Sequence, residues 1–138
     1  MFSPDGRWIA YQSNETGKTE VYVRPFPGPG GKWQISSDGG SFPVWSRTAK
    51  ELFYRSNDIR IMVAPYAVIG DSFKADKPKL WADGQFSERV GNPTYDLHPD
   101  GQRFAVIKQQ NQTATANRVV FIFNFFDELR RIAPISKK

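Results

Sequence analysis

The chain has 138 residues, 39% apolar and 14% aromatic, with 19 basic and 14 acidic side chains and a formal charge of +5. So many aromatics with so modest a net charge exclude an intrinsically disordered chain, and the length suits one domain with a core of its own. The absence of cysteine excludes disulfides and thiolate metal sites. No apolar run approaches the roughly 20 residues that a membrane-spanning helix needs.

Along the chain, apolar alternation and turn residues predict strands at 7–13, 19–26 and 33–36, then 42–46, 51–56, 59–66 and 79–83, and finally 94–97, 103–108 and 118–124. Pro25 and Pro65 are expected to end their strands, because proline has no N–H for a sheet ladder. The apolar run 104–107 reads as buried on both faces. Stretches 25–31, rich in Pro and Gly, and 109–117, polar throughout, read as loops. A short helix is expected next, capped by Asn124, with Asp127 near the positive end of its dipole. Phe125, Leu129 and Ile132 share one face of it, and Pro134 stops it.

These strands repeat. A turn followed by an aromatic-rich strand begins at Ser3, Ser46 and His98, spaced 43 and 52 residues apart. The next strand also repeats: Val21-Tyr22-Val23-Arg24-Pro25-Phe26 matches Ile61-Met62-Val63-Ala64-Pro65-Tyr66 at an offset of 40. The change from 43 to 40 falls in one hairpin loop, which is where duplicated units tolerate length differences. A period of about 40–45 with several short strands implies an all-β propeller. In Ser3-Pro4-Asp5-Gly6, serine opens the turn, proline presets its second position and glycine supplies the left-handed residue. Ser46-Arg47-Thr48-Ala49 lacks both Pro and Gly, so that turn should differ in shape. The expected architecture is a partial β-propeller of about three four-stranded antiparallel blades, the first and last incomplete, with a short C-terminal helix. Its divisions are blade one at 2–40, blade two at 41–90, blade three at 91–124, and helix and tail at 125–138.

The run from Phe2 through Ser56 and the ending Asn124-Phe125-Phe126-Asp127-Glu128-Leu129-Arg130-Arg131 resemble the last blades of TolB-like (WD40-like) propellers. Such propellers lie at the C-terminal end of many bacterial serine/threonine protein kinases, and the resemblance spans residues 2–133. It implies a sensor or interaction module whose kinase activity resides in a separate upstream domain. The chain itself has no glycine-rich loop, His-Arg-Asp or Asp-Phe-Gly of a kinase. Similar propellers also gate prolyl-oligopeptidase-type proteases, whose hydrolase domain is missing from this sequence.

No catalytic constellation emerges. His98, the sole histidine, occupies the turn position of Ser3 and Ser46, and no Gly-x-Ser-x-Gly elbow accompanies it. Asp5 and Asp100 hold equal turn positions, and the Asp spacing of a calcium loop is missing. Trp8, Trp33, Trp45, Trp81 and Tyr95 could stack on a ligand, but packing between blades is the simpler use. The candidate binding surface is Phe42, Trp45 and Tyr95, with Arg47 and His98 beside them, expected at the face or mouth of a central channel. No metal or cofactor is expected, and no enzymatic activity.

Self-association is the expected partnership, because incomplete blades leave unpaired strand edges; another protein or a small ligand is the alternative. A hydrolase or lyase site in a dimer-completed channel, and weak nucleic-acid binding, are the competing readings. The second would use the basic C-terminal tail; from His98 onward the chain has seven basic and three acidic residues. With only Met1 ahead of the first repeat, the sequence as written reads as cytoplasmic. The resemblance would allow a propeller outside the membrane.

Overall fold

The computed structural model describes residues 1–83, 93 and 95–107. Its strands, all antiparallel, are β1 (Trp8–Ser13), β2 (Glu20–Pro25), β3 (Trp33–Gln34), β4 (Ser41–Trp45), β5 (Glu51–Arg55), β6 (Ile61–Ile69), β7 (Ser72–Ala75), β8 (Lys79–Ala82), β9 (Tyr95–Leu97) and β10 (Phe104–Val106). They form three sheets: β1-β2-β3, then β4-β5-β6 with β8 and β7 both on β6, then β9-β10. The described part is thus all-β, without a helix. The expected strand at 118–124, the C-terminal helix and the basic tail lie outside the described residues, as does the polar loop 109–117.

The repeat is visible in the backbone. Ser3, Ser46 and His98 each donate their N–H to the carbonyl five residues on, at Trp8 (2.9 Å), Glu51 (2.9 Å) and Arg103 (2.8 Å). In the first and third turns the glycine N–H also closes onto the opening residue, Gly6 to Ser3 and Gly101 to His98, each at 2.9 Å. Both glycines have φ near +70°, where a side chain is strained. Ala49 avoids that conformation. Instead the Ser46 hydroxyl accepts from the N–H groups of Thr48 and Ala49, so the second turn has the different shape its composition implies.

The three sheets stack, with β4–β8 in the middle. Because successive residues of a strand face opposite sides, β5 sends Leu52 and Tyr54 toward the first sheet and Phe53 toward the third. Leu52 and Tyr54 join Trp8, Ala10, Val21, Val23 and Trp45 in one core. Phe53 joins Ile61, Val63 and Tyr95 in the other, with Phe104 packed against them. This is why Leu52-Phe53-Tyr54 is continuously apolar and buried. Burial on both faces was expected of 104–107, and there the structure differs. Val106 and Ile107 are 40% and 43% exposed, because among the described residues β10 has the middle sheet on one face alone.

Two further differences concern strand ends. β2 stops at Pro25 as expected, whereas β6 runs past Pro65 to Ile69. The Tyr66 N–H is directed at Lys50 O (2.9 Å), so by alternation position 65 faces the outer side of β6. There β8 has ended, opposite Val63, and β7 begins, opposite Tyr66. A missing N–H costs no ladder bond at that change of partner, and the Pro65 carbonyl still accepts from Asp76 N (2.8 Å). The continuation brings in β7, whose Phe73 is fully buried against Trp8, Trp33, Trp45 and Tyr66. At the start of the chain, Ser3 N–H reaches Trp8 O, the Ala10 N–H reaches Met1 O, and Phe2 bridges Ile9. Residues 1–3 therefore hold a stub of strand on the edge of β1, where the first sheet was expected to have none.

Candidate functional site

The first strand of each sheet, the 1–3 stub, β4 and β9, meets the others along a shared rim. An open cleft of about 600 Å³ runs there, lined by Met1, Phe42, Val44, Tyr95, Val106 and Ile107 among others, and mostly apolar. Phe42 is part of that lining. The β4–β5 register shifts between Ser41 and Val44, and Phe42 takes φ +53°, a left-handed conformation that costs a bulky residue about 1–2 kcal/mol.

The Phe42 peptide is fixed from both neighbouring sheets. Its N–H donates to Gln12 Oε1 of β1 (2.8 Å), and its carbonyl accepts from the Tyr95 hydroxyl of β9. The Arg55 guanidinium lies over its ring at 4.8 Å, a cation–π contact. Burial pushes the Tyr95 phenol well above its ordinary pKa, with a smaller opposing pull from Arg55. Tyr95 is therefore a neutral donor at every physiological pH. One strained residue ties three sheets together at the rim.

Phe42 and Tyr95 thus come together. The other three candidates do not join them. Trp45 is buried in the core between the first and middle sheets, edge-on to Tyr66, and its indole N–H donates to Met1 O (3.1 Å). It stabilises the rim from behind without lining it. Arg47 lies beside Lys50 and Asp5 in a small separate depression. His98 turns away with Asp100 and Arg103, its Nδ1 3.1 Å from Asp100 Oδ2. The geometric reason is that Arg47 and His98 sit past the strand ends, in the turns, whereas the cleft lies along the strands.

Those turns have a structural task. Asp5 Oδ1 accepts from Ser3 Oγ (2.6 Å) and Arg7 N (3.2 Å), and the Ser3 bond chiefly holds its carboxyl below the usual range. Asp100 Oδ1 accepts from Gln102 N (2.9 Å), while its Oδ2 accepts from Arg103 Nε (2.8 Å). The Gln102 bond leads in lowering its pKa to about 2. Among the described residues no three His, Asp or Glu side chains gather as a metal-holding group, and no helix is long and apolar enough to cross a membrane. The tryptophans are mostly used for packing: Trp8 and Trp45 are buried, and Trp33 meets Trp8 edge-on.

Val106 and Ile107 belong to the cleft but were read as core, because an apolar run looks the same whether it faces a core or an open rim. Glu20 was also missed. Its buried carboxylate accepts from Ser36 Oγ and from Gly39 N (2.9 Å), and Ser36 Oγ in turn accepts from Val21 N (2.8 Å). This knot fixes the link from β3 into β4. No protein family, no curated protein and no solved structure matches this chain.

Proposed function

We propose that this chain is a non-catalytic interaction module, a partial propeller of the TolB-like kind, that associates with a second copy of itself. The apolar cleft across the first strands of the three sheets carries the reading. Its lining is poor in the paired acids, bases and nucleophiles that catalysis requires. A contiguous exposed apolar surface of this kind is the usual mark of a protein contact. Stacked antiparallel sheets, each with an equivalent turn between its first two strands, support the propeller reading, in which inner strands face a central channel. Three blades leave such a ring open, and a second copy would close it into six. A sensor or docking role attached to a larger signalling protein follows from the same reading.

Light scattering on the full chain across a concentration series tests it. The expected result is a mass approaching twice the chain's 15.7 kDa as concentration rises, with Val106→Asp held at the monomer mass. A wild-type chain that stays monomeric at millimolar concentration refutes self-association.

A further inference from the structure

A second concave site lies away from the shared rim, between the link leading into β4, the β5–β6 turn and the start of β8. It is a groove of about 450 Å³, within the size range of small-ligand pockets. Each acid in its wall has a cation beside it. Asp58 accepts from Ser56 Oγ and pairs with Arg60 at 3.1 Å, and Asp38, itself largely exposed, lies 3.7 Å from Lys18. Tyr54, Asn57 and Lys77 also line the groove, and their side chains bond to no described residue.

Tyr54 is the most telling of these. The residue is only 4% exposed, yet its hydroxyl oxygen is not among the enclosed, unpartnered polar atoms. The ring is packed away while the hydroxyl stays open toward the groove. Burial, with the Glu20 carboxylate nearby, raises its pKa to about 12, so it remains a protonated donor. Asn57 lies across Gly39, where a Cβ would meet its amide nitrogen at 2.0 Å, so glycine leaves room for that side chain. Met62 and Leu80, paired across β6 and β8, supply an apolar wall.

A set of unspent donors beside an apolar wall, with a cation beside each acid, is chemistry for an oxyanion that carries a hydrocarbon group. We propose that this groove binds a carboxylate bearing an apolar substituent, held by Tyr54, Asn57 and Lys77 with its apolar part on Met62 and Leu80. A free short-chain carboxylic acid and the C-terminus of a peptide ending in an apolar residue share this chemistry. The site is independent of the self-association proposed above.

The test is amide-resolved NMR of the full chain, titrated separately with hexanoate, N-acetyl-leucine and N-acetyl-leucinamide. Both acids are expected to shift the Gly39, Asn57, Lys77 and Leu80 amides saturably, with the uncharged amide at least about fivefold weaker. Tyr54→Phe, which keeps the buried ring, and Lys77→Met, at an exposed position, should each weaken the acids about five- to tenfold. Tighter binding of hexanoate assigns the site to free acids, and tighter binding of N-acetyl-leucine assigns it to peptide C-termini. Saturable shifts with neither acid, equal binding of the amide, or wild-type affinity in both variants overturns the proposal.

Discussion

Truncating Phe53 should cost as much as truncating its neighbour Leu52, although the two point in opposite directions. Phe53 is fully buried toward the third sheet, edge-on to Phe104 at 5.1 Å and to Trp81 at 5.9 Å. Leu52 is fully buried toward the first sheet. Phe53→Ala removes a ring from a site closed by Ile61, Val63 and Tyr95, a loss of about 3–5 kcal/mol in transfer and cavity terms. Leu52→Ala should lose about 2–5 kcal/mol for the same reason. Against a total stability of about 5–15 kcal/mol, either change moves the urea midpoint far down. Ile69→Ala, at a position 71% exposed, should stay within about 0.5 kcal/mol of wild type. Tryptophan-fluorescence urea curves on the three variants, compared at constant m, measure this. A Phe53→Ala cost below about 1 kcal/mol, with Leu52→Ala costly, would mean the middle sheet is buried on one face alone.

Other consequences test the rim and the turns. Tyr95→Phe strands the Phe42 carbonyl and should cost about 1–3 kcal/mol, read as a lower urea midpoint. Gly101→Ala combines φ +71° with a Cβ only 2.2 Å from Thr48 Oγ1; it should destabilise by more than the about 1 kcal/mol of a merely left-handed glycine, measured by thermal unfolding. Asp100 has a folded pKa of about 2 against an ordinary value of 3.8. Its contribution is therefore complete above that ordinary value and is lost as pH falls from there toward 2. Asp100→Asn should flatten that part of the pH–stability curve, measured as urea midpoints between pH 2 and 4.

The strands and turns were readable because each carries a local signal. Ser3-Pro4-Asp5-Gly6 and His98-Pro99-Asp100-Gly101 state their turns through proline and glycine, and Val21 to Arg24 states its strand through alternation. β7 went unread because Pro65 looked like a stop, although Gly70-Asp71 between Ile69 and Ser72 is a two-residue hairpin signal. Its cost was Phe73, the ring that joins the aromatic core. At the rim, Phe42 and Tyr95 were legible as aromatics of the first strands. The left-handed turn at Phe42 was not, since a residue before proline normally prefers extended backbone. Trp45 lies three positions from Phe42, an odd spacing that puts the two on opposite faces of a regular strand, so grouping them as one lining ignored the alternation. The Tyr54 groove had no sequence signal, because its donors come from three separate segments and become a set only in the folded chain.

Whether the first strands of the three sheets meet at one rim is tested most directly by a single nuclear Overhauser spectrum of the full chain. It should show contacts from the Trp45 indole N–H to Met1 and Phe2, and from the Tyr95 ring to the Phe42 and Pro43 backbone protons, as the bonds to Met1 O and Phe42 O require. A spectrum with both strands folded but neither set of contacts would contradict the shared rim, and with it the cleft on which the proposed association rests.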